Sequence, residues 1–222
     1  MLSSSLGTTH ALWEPNVAAL AARYTLVRYD HPGHGRSPAG PRSIEGFGRG
    51  ALELADGLEL ERFAFCGISL GGMVGIWLAA NAPERIERLV LACTAPCLPP
   101  AEQWVERAAA VRERGIEAIA DAVVDRWFTE RFPDPRPWRE HLLETPPEGY
   151  ARACEAIAAM DLRADLDRIV AATTVILGAH DPVVGEENER LLARLGPIVK
   201  LDAAHLANVE RPRAFADTVL QA

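Results

Sequence analysis

The stretch FAFCGISLGGMVGIWLAANAP, Phe63 to Pro83, constrains the fold more than any other part of the chain. An apolar run, FAFCGIS, passes without a linker into a small-residue helix that stops at Pro83. The junction GISLG fits G-x-S-x-G. A strand that turns sharply into a helix forces its central serine into a strained backbone conformation, and only glycines at Gly67 and Gly71 leave room for the crossing. Such a turn presents the Ser69 hydroxyl at a helix amino end. The competing reading is a glycine-rich turn that only packs a helix closely on a sheet; the strand immediately before the pentapeptide favours a nucleophile.

The rest of the chain repeats the alternation of strand and helix, which predicts a mostly parallel, twisted sheet flanked by helices on both faces. YTLVRYD (Tyr24 to Asp30) is predicted as a strand entering the loop HPGHGRSP, and IERLVLACTAP (Ile86 to Pro96) as the third strand with its lead-in. TTVILG and PIVKLD supply two more, and AHLANVERPRAFADTVLQA follows as a terminal helix. Between Pro96 and about Met160 the strand signal gives way to helices: EQWVERAAAVRERG, IEAIADAVVDRWF and EGYARACEAIAAM. Ile116, Ile119, Val123 and Trp127 recur at spacings of three and four, so the second of these has one apolar face. The expected division is a core of residues 1–96 and 161–222, with residues 97–160 inserted after the third complete strand as a helical lid over the carboxyl edge of the sheet.

Composition narrows the function classes. The 222 residues are 49% hydrophobic and 24% charged, ordinary for a globular protein with a sizeable core, and no apolar stretch would span a bilayer. A formal charge of -8 disfavours phosphate backbones and anionic lipid, so neither nucleic acid nor membrane is an expected partner. Cys66, Cys93, Cys97 and Cys154 form no CxxC pair and are expected as buried reduced thiols rather than metal ligands. No basic start precedes an apolar segment, so a cytoplasmic location is expected.

A serine hydroxyl is a weak nucleophile at neutral pH and needs a base, which in turn needs an orienting carboxylate. With this turn the chain order is serine, acid, histidine. Asp181 follows the strand TTVILG in GAHDPVV, and His205 follows PIVKLD in AAHLANV, both at the sheet edge of Ser69. The other histidines fit worse: His10 and His34 precede the serine, His141 lies in the lid, His180 adjoins the acid, and His31 sits beside a glycine turn. Asp202 and Asp165 are rival acids, but Asp202 lies only three residues from the base, inside a strand end. The developing oxyanion needs two donors. One is the backbone N–H of Leu70; the other is predicted as the N–H of Leu6 in the opening loop LSSSLGTTH.

With these residues in place the chain resembles the α/β-hydrolase fold and, within it, the 3-oxoadipate enol-lactonases. The resemblance rests on LSSSLGTTHALWEPN, YDHPGHGRSP, CGISLGGMVGIWLAANAPERIERLVL, RERGIEAIADAVVDRWFTERF, TPPEGYARACEAIAAMDLRADL and LDAAHLANVERP, and so covers nearly the whole chain. The lid stretches are its more specific part. It implies hydrolysis of 3-oxoadipate enol-lactone to 3-oxoadipate in aromatic degradation, by Ser69, Asp181 and His205, with no metal and no cofactor. The substrate of that family carries a free carboxylate, which a lid would meet with a cation or amide donors; Arg126 beside Trp127, or Arg131, is the candidate. Two departures from the family pattern stand out: the leading strands are shortened or missing, and Ser4-Ser5 stands where many hydrolases have His-Gly. A carboxylesterase, a carbon-carbon bond hydrolase or a perhydrolase is an alternative on the same fold. A silent binding protein is another, disfavoured by the intact triad. Nothing in the sequence signals an oligomeric state.

Overall fold

The computed structural model describes all 222 residues. Five strands form one sheet in the order β1 (Leu2–Ser3), β2 (Phe63–Ile68), β3 (Ile86–Ala92), β4 (Ala172–Gly178) and β5 (Ile198–Leu201), and every neighbouring pair is parallel. The helices are α1 (Glu14–Leu20), α2 (Ile44–Gly57), α3 (Leu70–Asn81), α4 (Ala101–Arg114), α5 (Ala120–Trp127), α6 (Arg136–Leu143), α7 (Pro147–Ala158), α8 (Glu186–Leu192), α9 (Ala207–Glu210) and α10 (Pro212–Gln221). Parallel neighbours require crossovers, and α3 supplies the one between β2 and β3. It is apolar around its whole circumference, and ten of its twelve residues are buried, so it forms the centre of the core rather than a surface stripe.

Five sequence expectations change in the structure. YTLVRYD is not a strand: it contributes a single bridge, Arg28 to Leu2, with Leu2 N–H donating to Val27 O at 2.8 Å. A strand exists only through its partner, and β1 offers two residues to pair with. The complete strands before the helical insertion are therefore β2 and β3. The Pro-rich stretch after Pro133 holds an additional helix, α6, because Pro137 occupies its first turn, where a missing N–H is harmless. IEAIADAVVDRWF splits into a 3-10 turn, Ile116–Ala118, and α5; Ile116, Val123 and Trp127 are buried while Ile119 is half-buried. The terminal helix splits at Arg211, which precedes a proline and is thereby excluded from the helical region, at φ -131° and ψ 60°. All four cysteines are free, and Cys97 is partly exposed rather than buried.

The insertion is tied to the core at its neck, where Leu162 N–H donates to Pro96 O at 2.8 Å. Within it, α4 lies on α7, bridged by Arg112 to Glu148 at 2.7 Å and to Glu155 at 2.5 Å. No helix is long and apolar enough to cross a membrane.

The loop HPGHG drives two histidines into the interior. His31 and His34 are wholly buried, and burial pulls them down to about 3 and about 4 respectively. Unfolded histidines titrate near pH 6.5. The folded chain thus binds fewer protons than the unfolded chain below that pH. The associated stability is full above about pH 6.5 and is lost as pH falls toward 4 and then 3. Urea unfolding across this range is expected to show a stability loss of up to about 3 kcal/mol per pH unit below about pH 6, from two such groups; a flat profile would contradict it.

Candidate active site

Ser69 adopts φ 55° and ψ -117°, a conformation that side chains rarely occupy. Steric facts explain the flanking glycines. A Cβ on Gly67 would come 2.1 Å from Gly71 O, and one on Gly71 would come 2.2 Å from Ser3 O. The strained residue is held on both sides: its N–H donates to Ala92 O at 2.9 Å, and its carbonyl accepts from Thr94 Oγ1 at 2.7 Å and from Met73 N at 3.0 Å.

The loops after β4 and β5 bring the predicted partners to this hydroxyl. His205 Nε2 lies 2.9 Å from Ser69 Oγ, and His205 Nδ1 lies 2.9 Å from Asp181 Oδ2. A carboxylate only accepts, so Nδ1 carries the proton and Nε2 accepts from the serine. Both the His205 and Asp181 side chains are almost wholly buried. Asp181 Oδ1 accepts the Val183 N–H at 2.8 Å, which fixes the carboxylate plane. The rival Asp202 is elsewhere, exposed and paired with Arg131, His180 and Arg211. Asp165 pairs with Arg168.

The loop carrying His205 is anchored to the insertion. Leu206 N–H donates to Trp127 O at 2.9 Å, and the buried carboxylate of Glu210 accepts from Ala204 N at 2.9 Å and from both the N–H and the hydroxyl of Thr129. Glu210 escaped the sequence reading, because nothing local marks a helical glutamate as buried.

Ser69 and His205 open into a cleft of about 890 Å³, part of it open solvent, lined also by Leu6, Trp104, Arg107, Arg126, Trp127 and Tyr150. The backbone N–H groups of Leu6 and Leu70 have no acceptor within the protein. Gly71 N–H donates to Ser4 O at 3.0 Å and so ties the opening loop to the helix that follows the serine. Of the three residues expected to meet a carboxylate, Arg126 and Trp127 line the cleft. Arg131 does not: it is exposed and engaged with Asp202 at 2.6 Å. Its place is taken by Arg107, one turn beyond Trp104 on α4, whose guanidinium lies 4.6 Å from the Trp104 ring centre. Neither Arg107 nor Arg126 pairs with a carboxylate. Burial, and then the neighbouring Arg107, pull the Arg126 guanidinium below its ordinary value.

A second cavity of about 930 Å³, lined by Met1, Leu2, Val27, Phe65 and Cys66 among others, holds no paired nucleophile and base. Its one thiol, Cys66, is pushed up to about 12 by burial. No group of three or more His, Cys, Asp or Glu side chains converges as metal ligands.

Residues 3–218 match the model of the alpha/beta hydrolase family. A 3-oxoadipate enol-lactonase of Acinetobacter baylyi is 38% identical over 99% of this chain and 86% of its own length, and a second from the same organism is 34% identical. The chain belongs to the 3-oxoadipate enol-lactonase family of alpha/beta hydrolases. Among solved structures, the enol-lactonase from Burkholderia xenovorans LB400 superimposes with a TM-score of 0.94 at 43% identity, covering 99% of this chain and 88% of that one. A hydrolase from Pseudomonas aeruginosa does so equally well, at 42% identity. In this enol-lactonase family member the G-x-S-x-G glycines are required by close backbone approach, so Gly71→Ala is expected to lower stability by about 1–3 kcal/mol in urea unfolding, as overpacking does. An unchanged midpoint would contradict the crowding at Gly71, where an added Cβ would lie 2.2 Å from Ser3 O.

Proposed function

We propose that the protein hydrolyses 3-oxoadipate enol-lactone to 3-oxoadipate, with Ser69 as nucleophile, His205 as general base and acid, and Asp181 as its orienting carboxylate. The observation that carries the reading is a serine and histidine 2.9 Å apart facing two arginines that lack carboxylate partners. The substrate of the family relatives is a lactone with a free carboxylate, and it needs a nucleophile at one end and a cation at the other.

The chemistry follows from the geometry. Ser69 Oγ attacks the lactone carbonyl as His205 Nε2 takes its proton, and Asp181 stabilises the imidazolium that forms. The negative oxygen of the tetrahedral species is met by the unpartnered N–H groups of Leu6 and Leu70. Collapse breaks the ring C–O bond. An enol leaves more readily than an alkoxide, so His205 returns its proton to that oxygen with modest assistance. The leaving group stays tethered in the acyl-enzyme, and its conversion to the ketone removes the internal nucleophile that could close the ring again. Water activated by His205 then releases the diacid. Trp104 and Trp127 frame the path, while Arg107 and Arg126 bind the carboxylate. Residues 97–160 act as a lid that excludes water from the ion pair and so strengthens it.

An assay on the enol-lactone tests this. Ser69→Ala is expected to abolish turnover by a factor of about 10⁴ or more. Arg107→Gln and Arg126→Gln are each expected to raise KM for the carboxylated lactone about tenfold, with little change for a neutral lactone. Preference of the wild type for neutral lactones, or an unmoved KM in both arginine variants, would overturn the assignment.

A further inference from the structure

The Leu6 amide sits on a loop whose underlying strand, β1, has only two residues. What holds residues 4–9 is therefore a set of contacts within the loop and from side chains brought from elsewhere. Ser5 O accepts from Thr8 N at 3.2 Å and from Thr8 Oγ1 at 2.8 Å. In a trans peptide the C=O and N–H point in opposite directions, so fixing Ser5 O aims the Leu6 N–H the other way. The next peptide is fixed through Gly7 N–H, which donates to His34 Nε2 at 3.1 Å. Gly7 O accepts from Thr145 Oγ1 at 3.2 Å, and Thr9 N–H donates to His141 Nε2 at 2.9 Å. On the other flank His31 Nε2 lies 3.0 Å from Ser4 O and donates to it.

An N–H donor demands a bare ring nitrogen opposite it. His34 and His141 must therefore be neutral with the proton on Nδ1, and a protonated ring would set N–H against N–H. His34 Nδ1 faces the Pro32 carbonyl, consistent with that tautomer. The surroundings keep both rings neutral. Burial dominates at each, and His34 is held at about 4 against the opposing pull of Asp30, with His141 adding repulsion. His141 is lowered against Glu144 and Asp30, with His10 repelling it.

We propose that His34 and His141 are positioning residues, neutral imidazole acceptors that lock the peptide planes following the oxyanion donor Leu6. His34 comes from the core loop after residue 30, whereas His141 and Thr145 come from the insertion, on α6 and just beyond it. Part of the bracing of the donor loop thus comes from the insertion, which couples docking of the insertion to the oxyanion site. Gly7 reinforces the contact: it has φ 77°, and a Cβ there would meet Leu142 at 2.5 Å.

This inference rests on the serine-hydrolase reading above, and its test is arranged to fail separately. His34 and His141 are each replaced by Leu, which removes the acceptor, and by Gln, whose Oε1 reaches the place of Nε2. With 4-nitrophenyl acetate as substrate, the Leu variants are expected to lose about 10- to 100-fold in kcat with KM changed less than about threefold, and the Gln variants to recover to within about fivefold of wild type. Hydrogen exchange of the peptide spanning residues 4–9 is expected to quicken about tenfold in the Leu variants and to return in the Gln variants. His141 is only half-buried, so its variants report even if His34→Leu fails to fold. Leu variants that keep wild-type kcat and exchange, or Gln variants no better than Leu, would overturn the proposal. Exchange needs no turnover, so a wild type inert toward both this ester and the enol-lactone would fail the hydrolase reading and leave the loop result to decide this one.

Discussion

The close passage of Gly71 under Ser3 is the constraint on which the site depends. Together with the close approach of Gly67 to Gly71, it lets the chain leave β2 at Ile68 and enter α3 at Leu70 through a residue at φ 55°. Backbone strain of this kind costs about 1–3 kcal/mol and persists only where the surroundings over-determine it. Here they do: Ala92, Thr94 and Met73 bond the serine backbone, and Ser4 bonds the helix behind it. The same packing that enforces the strain brings the opening loop against the helix terminus. One steric fact therefore places the proposed nucleophile and one of its two proposed oxyanion donors together.

The helical insertion is built into the site rather than laid over it. It reaches the histidine loop through Trp127 O and through Thr129 on Glu210, and it reaches the opening loop through His141 and Thr145. Two of the groups proposed for attack and for charge stabilisation are thus braced by the segment that also supplies the two arginines of the cleft. On the proposed reading, a shift of the insertion would disturb binding and chemistry together.

Much of this was legible in the residues because the relevant signals are local. A strand running into G-x-S-x-G, and an aspartate and a histidine each just past a later strand, carry their geometry in a few positions. The failures are non-local. YTLVRYD has strand composition but lacks a partner long enough to pair with. Pro137 looks like a breaker until the helix is seen to start at Arg136, one residue before it. Arg131 and Arg107 cannot be ranked by charge or spacing, since only the packing of α4 against α7 turns one toward the cleft while Asp202 captures the other. By position His34 and His141 make poor general bases, and their contacts with Gly7 and Thr9 lie 27 and 132 residues away along the chain. The neutral state of those rings is a property of burial, which sequence does not show.

The central claim is that the strained Ser69 is a nucleophile activated by His205. The most direct measurement is peptide mapping by mass spectrometry after exposure to a fluorophosphonate, in the wild type and in His205→Ala. A single adduct on the peptide carrying Ser69, slowed by about 10³-fold or more without the histidine, is the predicted result. An unlabelled Ser69, or labelling at the same rate in both proteins, would contradict it.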